Sequence, residues 1–374
     1  MPAYLNPTEL HNALTIRDLS NPNDGPHAMQ PLLHDVLRGL REQWDVPQRL
    51  IRHSPLVSVS DNYDRLGFSP ADVTRDQRYS RYVSPTVMLR SHTSASIPSL
   101  LRSLDPVRPI DELWAIPGLV YRRDAIDRTH VGTPHQVDLW RVSSLRVLDS
   151  SHLQEMVSSL VNAVLPDAEW RAVRAVHPYT REGLQVDVRM DDEWLELAEC
   201  GLMAPQLFLD AGLDPGQWSG LALGMGLDRA LMLRKGIPDI RLLRSADPRI
   251  RQQMVDLAPW KSVSCMPSIS RDISIVVAAD MDAELLGDRV RMALDDRAED
   301  LESVELLALT AHDELPPAAR DRLQILPGQA NALIRLVLRP LGPTMTDPEA
   351  NQLRDDVYLA LHEGPVLELI ASGA

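Results

Sequence analysis

Between residues 27 and 44 apolar side chains fall at Met29, Leu32, Leu33, Val36, Leu37 and Leu40, with charged residues between them. That period of about 3.6 residues predicts one amphipathic helix, entered through a polar stretch containing Pro and Gly. The period changes at 184–190, where Leu-Gln-Val-Asp-Val-Arg-Met alternates strictly, and the chain resumes after an Asp-Asp pair as Trp-Leu-Glu-Leu-Ala. Two alternating runs around a short polar turn predict an antiparallel hairpin. At 220–240, GLALGMGLDRALMLRKGIPDI, a glycine-bearing strand is expected to lead into an apolar helix. Past Ile250 the pattern loosens, and Pro259 and Pro267 flank KSVSCMPS. A fresh series then follows: RDISIVV as strand, MDAELLGDRVRMAL as helix, LESVELLALT and NALIRLVLR as strands, DPEANQLRDDVYLALHEG as helix and VLELI as strand. The order β-α-β-β-α-β suits a ferredoxin-like sandwich. In its last helix Pro348 suits the first turn, Ala350, Leu353, Val357 and Leu361 share a face, and Gly364 can close the end. The Pro/Ala/Gln-rich interval 316–330 reads as the long loop between the central strands. The domains are expected at 1–258 and 259–374.

With 374 residues and 44% hydrophobic content, the chain can form two packed cores. No apolar run reaches membrane-spanning length and no leader-like segment opens the chain, so no membrane partner and a cytoplasmic address are expected. The two cysteines, Cys200 and Cys265, lie far apart outside any CxxC or Cys/His cluster, which suggests neither a disulfide framework nor a zinc site. They are expected in the core or in strands. A net charge of -15 argues against a broad, nonspecific grip on nucleic acid but allows a local basic surface. Lys235 and Lys261 are the only lysines, which removes the usual candidates for Schiff-base or P-loop chemistry.

The segment Gly224-Met225-Gly226-Leu227-Asp228-Arg229 lacks the third glycine of a dinucleotide fingerprint and the Gly-Lys-Ser/Thr of a P-loop. It can deliver an arginine to a helix start, where a guanidinium contacts phosphate or stacks on a base. Alone, it equally suits a helix packing closely on a sheet. Its companions carry more. GLALGMGLDRALMLRKGIPDIR resembles the third class-defining motif of phenylalanyl-tRNA synthetases, which are class II aminoacyl-tRNA synthetases. GLVYRRDAIDRTHVGTPHQVDLWR, from Gly118, resembles the second motif, and MLRSHTSA, from Met88, the segment leading into the substrate pocket. EWLELAECG is similar to the strand before the third motif, and the helix after Gly25 stands where the first motif builds a dimer interface. PSISRDISIVV and TMTDPEANQLRDDVYLALHEG are similar to the family's anticodon-binding domain.

The resemblance implies an α+β fold: an antiparallel class II synthetase sheet flanked by helices, followed by the ferredoxin-like domain. It implies ATP and Mg²⁺ as cofactors, an amino acid as substrate and tRNA as partner of the C-terminal domain, in a monomer or homodimer. Arg122 would bind the ATP α-phosphate and amino-acid carboxylate, with Asp124 beside it, and Arg229 the adenine and γ-phosphate side of a bent ATP. Gly224 and Gly226 would let backbone approach the nucleotide. Glu196 is the candidate Mg²⁺ ligand, through the phosphates. His92, Ser94, Gln136 and Asp138 match positions that hold the amino acid's ammonium and carboxylate, and Ala222 the small residue that admits its side chain.

The match departs where the side chain would be read. Asp138 replaces the usual glutamate, and the family's Phe-Pro-Phe is His177-Pro178-Tyr179. Gly-Cys-Gly is Glu199-Cys200-Gly201. Polar atoms at an apolar wall disfavour a phenyl ring and favour a polar substrate, provided Glu199 faces the pocket rather than solvent. Two other readings therefore stand beside a tRNA-charging enzyme: a paralogous ligase activating a polar or unusual amino acid for a non-tRNA acceptor, and a noncatalytic, synthetase-derived binding or regulatory protein.

Overall fold

The computed structural model describes residues 4–76, 78–123, 125–190, 192–263, 267–341 and 344–367. Its strands are β1 (Gln48–Leu50), β2 (Leu56–Ser58), β3 (Val87–Leu89), β4 (Asp111–Leu119), β5 (His135–Ser143), β6 (Trp170–Arg174), β7 (Thr180–Met190), β8 (Glu193–Met203), β9 (Ser219–Gly226), β10 (Ile269–Ala278), β11 (Leu301–Ala311) and β12 (Gln329–Leu338). The helices used below are α1 (Met29–Trp44), α2 (Ile97–Arg102), α3 (Ser150–Val164), α4 (Pro205–Asp210), α5 (Leu227–Lys235), α6 (Ala283–Leu294), α7 (Pro317–Leu323) and α8 (Asp347–Leu361).

By internal contacts the chain forms two compact units. The first comprises Met1–Arg122, Thr133–Pro238 and Gln252–Trp260; the second comprises Arg123–Gly132, Asp239–Arg251 and Lys261–Ala374. The division is thus not a single cut, because two segments from the first two-thirds of the sequence pack with the second unit.

The first unit is built on a seven-stranded sheet in the order β1-β4-β5-β9-β8-β7-β6. Every pairing is antiparallel except that of the edge strand β1, which runs parallel to β4, so the sheet is mixed rather than wholly antiparallel. Helices α1, α3 and α5 pack against one another, and α3 lies on β7 and β8. The apolar face read from the sequence of α1 is the one that packs, with Met29, Leu32, Leu33, Val36 and Leu40 buried. Each such side chain contributes about 1.5–3 kcal/mol relative to exposure. Across the sheet, a second core gathers Trp114, Ile116, Trp140, Val142 and Ala222 from the strands with Ile97 and Leu101 of α2 and Leu207 and Phe208 of α4. This core covers only part of the face: Ala222 is buried, whereas Gly224 and Gly226 are progressively more open. The predicted hairpin is β7–β8, and β9 runs directly into α5, which ends on Gly236 with φ +68°, a left-handed cap suited to glycine.

In the second unit β12 lies between β10 and β11, antiparallel to both, and α6 and α8 pack on each other and on the sheet. Its core is aliphatic, including Ile273, Ile275, Val277, Leu286, Val290, Ile334, Leu336, Leu353 and Val357. The expected strand 366–370 extends into Glu368, Leu369 and Ile370, which lie outside the described residues. Two local expectations change. The interval 316–330 is not one loop, because α7 occupies Pro317–Leu323 and β12 begins at Gln329; Leu323, with Leu315 and Ile325, packs on Val276. Helix α8 opens with Thr346 and Glu349 capping each other but closes at His362 in an extended conformation, so Gly364 is not its cap. Instead Glu363 N–H donates to Val276 O at 2.8 Å.

Candidate active site

Register assembles the site. Asp138 on β5 and Glu199 on β8 both lie directly opposite Gly224 on β9; Trp140 and Gly201 both lie opposite Ala222; Gln136 lies opposite Gly226. Residues paired across a ladder share a face. Asp138 and Glu199 therefore flank one glycine on one face of the sheet, and the orientation of Glu199 left open by the sequence is settled. A Cβ on Gly224 would stand 3.1 Å from Gln136 Nε2 and 3.2 Å from Asp138 Oδ1, so these side chains lie over the glycine. Gly226 has open space where a Cβ would be. In the β7–β8 ladder Val186 pairs with Ala198 but Asp187 with Glu196, so Leu197 is an extra residue. Such a bulge turns the strand's parity. It brings Glu196 within electrostatic reach of Glu199, Arg229 and Arg122 while Leu197 is buried.

Asp138 is 1% exposed. It accepts from Gln136 Nε2 at 3.2 Å and from Trp140 Nε1 at 3.2 Å, and Ser94 also hydrogen-bonds it. Burial nevertheless outweighs these bonds and holds its carboxyl up at about 6. The His92 ring is pushed down to about 4, first by burial and then by the charges of Arg122 and Arg90, so it is neutral at pH 7. It stacks on Phe68 with centroids 5.6 Å apart, and neither buried ring nitrogen makes a well-formed hydrogen bond, the Asn62 main chain being a weak polar neighbour.

Tyr179 lies between Trp140, 5.8 Å away, Phe68, 6.2 Å away, and His177, 6.0 Å away, centroid to centroid. Burial raises its phenol, which also hydrogen-bonds Ser94. His177 Nδ1 is 3.0 Å from Thr180 Oγ1 and its Nε2 3.4 Å from Glu199 Oε2. With the hydroxyl donating to Nδ1, a neutral ring carries its proton on Nε2, on the Glu199 side, where the 3.4 Å contact is electrostatic rather than a well-formed hydrogen bond. That contact is the main reason Glu199 is held below the usual carboxylate range; the charge of Arg122 adds less.

The arginines enter from two elements. Arg122 is exposed, just past β4, and acts electrostatically on His92, Glu196 and Glu199. Arg229 is half-buried in the first turn of α5 and acts on Glu196. Burial, more than Glu199, raises the Glu196 carboxyl. Of the sequence candidates, His92, Ser94, Gln136, Asp138, His177, Tyr179, Glu199, Ala222 and Gly224 converge, with Glu196, Arg122 and Arg229 beside them. Asp124 lies outside the described residues. Among the described residues no three His, Cys, Asp or Glu side chains form a metal-binding group, so Glu196 could hold a cation only with help from a ligand's own oxygens.

Three residues escaped the sequence reading. Asp228 is buried and receives His135 N–H at 2.5 Å and His135 Nδ1 at 3.0 Å, while His135 Nε2 accepts from Leu19 N–H at 2.9 Å. The histidine of the His-Gln pair thus fixes where β5 begins and leaves Gln136 to face the site. Arg90 is buried, donates to Leu119 O at 2.8 Å, and a Cβ on Gly118 would collide with it. Trp140 closes the floor beside Ala222. Cys200, on the same strand as Glu199, is buried and its thiol is pushed up to about 12, so it is unreactive at neutral pH.

A mixed sheet backed by helices, bearing arginines, carboxylates and an open glycine row on one face, defines a class of site suited to a zwitterion and a polyanion together. The family model for the class II core domain (F) of tRNA synthetases matches residues 46–254, just over half of the chain, and the chain belongs to that family. The chain is 35% identical over 192 residues to the phenylalanine–tRNA ligase alpha subunit of Prochlorococcus marinus (strain NATL2A), covering 51% of this chain and 56% of that one. It is 36% identical over 183 residues to the protein of the same name from Thermotoga maritima, covering 48% and 54%. The chain thus spans about half the length of the curated relatives it matches. A solved structure of pyrrolysyl-tRNA synthetase from Desulfitobacterium hafniense is similar over 67% of this chain and 81% of that one, with 17% identity and a TM-score of 0.48. No helix among the described residues is long and apolar enough to cross a membrane.

Proposed function

We propose that the protein activates an amino acid with ATP, forming an aminoacyl-adenylate and releasing pyrophosphate, and passes the aminoacyl group to tRNA. The observation that carries this reading is the charge layout on one sheet face. Carboxylates flank Gly224, where an ammonium group can be held, while Arg122 and Arg229 lie beside Glu196, where carboxylate and phosphates would meet. The relatives' printed name, phenylalanine–tRNA ligase, supports the reaction class.

In this reading Asp138 and Gln136 hold the amino group, and Arg122 neutralises the amino-acid carboxylate and the α-phosphate it attacks. Charge developing on the five-coordinate phosphorus then meets a fixed cation, where a preorganised group lowers the barrier most. Arg229 holds the far end of the nucleotide, and the open row at Gly226 admits it closely. No covalent enzyme intermediate is required, so catalysis is positioning and charge stabilisation. Mg²⁺ would supply further neutralisation of the phosphates, with Glu196 as its protein ligand. The ferredoxin-like anticodon-binding domain expected at 259–374, which makes up most of the second unit, would provide the tRNA contacts.

The test is amino-acid-dependent exchange of pyrophosphate into ATP, with aminoacylation of total tRNA as its companion. Exchange is expected in the wild type, and Arg229→Ala should lower it by about 10²–10³-fold. Absence of exchange with every amino acid, with or without tRNA, would remove the activation reading. Exchange without tRNA charging would move the acceptor elsewhere.

A further inference from the structure

We propose that this site takes an amino acid whose compact side chain donates a hydrogen bond or carries a cation, docking on Glu199, and that phenylalanine is a poor ligand. The inference rests on the amino-acid-site reading above and names the substrate class of that site.

Four observations combine. The first is placement: Asp138 and Glu199 stand on either side of Gly224, their Cα atoms separated by two strand spacings, roughly 10 Å. A ligand whose ammonium meets Asp138 therefore directs its side chain across the glycine toward Glu199. The second is unused capacity. Glu199 has His177 Nε2 3.4 Å from one oxygen and its side chain accepts no well-formed hydrogen bond among the described residues, while it is 46% exposed. His177 is itself held by Thr180, so it steers the carboxylate but leaves acceptor sites for a ligand.

The third is depth. The floor beneath this row is already filled: Trp140 is 1% exposed and Ala222 2%, with the Tyr179 ring packed against Trp140. A ring entering toward Ala222 would have to displace an indole or a phenol from a well-packed core, which is costly. The fourth is polarity. A phenyl group resting instead on Glu199 and His177 would strip water from a carboxylate and offer nothing in return. A hydroxyl, amide, amine or ammonium replaces that water with a hydrogen bond, and a site built around such a bond rejects analogues lacking it by large factors.

The test compares serine, threonine, asparagine, 2,3-diaminopropionate, 2,4-diaminobutyrate and ornithine with alanine, leucine and phenylalanine. Each is read both by pyrophosphate exchange and by calorimetric binding to the full chain with ATP. At least one donor-bearing amino acid should exceed phenylalanine by tenfold or more in both. Glu199→Gln, at a half-exposed position, should cut that preference at least tenfold. Circular dichroism confirms that the variant is folded. Preference for phenylalanine or leucine, failure of every donor-bearing amino acid to bind, or a preference that survives Glu199→Gln would overturn the proposal. Binding of a donor-bearing amino acid without exchange would retain it and remove the activation reading instead.

Discussion

Both units pair buried charge, as Asp111 does with Arg141 and Asp187 with Arg171 in the first, but the first also holds a buried carboxylate left without a cation. In the second, Glu302 is 5% exposed and is met by Arg128 and by Arg339, the latter at 2.8 Å, while buried Asp288 has Arg123 at 3.1 Å. In the first, Asp138 is as deeply buried as Asp288 yet among the described residues has no cation within ion-pair distance; its hydrogen-bond donors are neutral, and Arg90 acts on it only through its charge. The ring nitrogens of His92 are buried and poorly bonded too, and the ring is neutral. Buried polar groups are normally satisfied, and a charge removed from water is normally paired. A carboxylate left short of a partner beside an open glycine row is therefore the mark of a site, whereas the paired ones are structural.

This comparison predicts substitutions of opposite sign. The largest effect is expected for Glu302→Ala, which strands two arginines. Removing one partner of a buried pair costs about 3–5 kcal/mol, and because both arginines are partly exposed the lower end, about 3 kcal/mol, is expected for the second unit. All seven tryptophans lie in the first unit, so indole fluorescence follows that unit and backbone hydrogen exchange must follow the second. A smaller effect of the other sign is expected for Asp138→Asn. The folded carboxyl titrates near 6 against 3.8 when unfolded, so the folded state binds its proton more tightly. Stability is then fully retained below about pH 4 and falls as pH rises to about 6, a loss near 3 kcal/mol at 1.36 kcal/mol per unit. Replacing the group should recover about 2 kcal/mol at pH 8 in urea melts followed by fluorescence, little at pH 4, and should abolish amino-acid binding. Loss of stability at pH 8 would mean that Asp138 is structural.

The contrast also explains what could be read from sequence. The amphipathic period of α1, the alternation of β7 and β8, and the aliphatic strands of the second unit were legible because one face of each is uniformly apolar. For the candidate site, sequence could name single residues, such as Arg122, Arg229, Gln136 and Asp138, which the fold brings near one another. Glu199 and Glu196 could be named as candidates too, but the face of Glu199 could not be read, because it depends on the cross-strand register with Gly224, and Glu196 joins it only through the bulge at Leu197. Asp228 and Arg90 sat inside quoted motifs, yet nothing local distinguishes a carboxylate that fixes His135 or a guanidinium that lies under Gly118 from surface charge. Helix α7 was hidden because Pro, Ala and Gln suggest a loop, while its anchor, Leu323 on Val276, is a long-range contact.

The central claim is that Asp138 is a carboxylate awaiting a cationic ligand group. Its most direct test is a pH titration of the carboxyl carbon resonance of Asp138, without and with the saturating amino acid found by the binding panel. A midpoint near 6 in the free protein, falling by at least one unit when the amino acid is bound, is the predicted result. A free-protein midpoint near the ordinary 3.8, or one that does not move on binding, would contradict it.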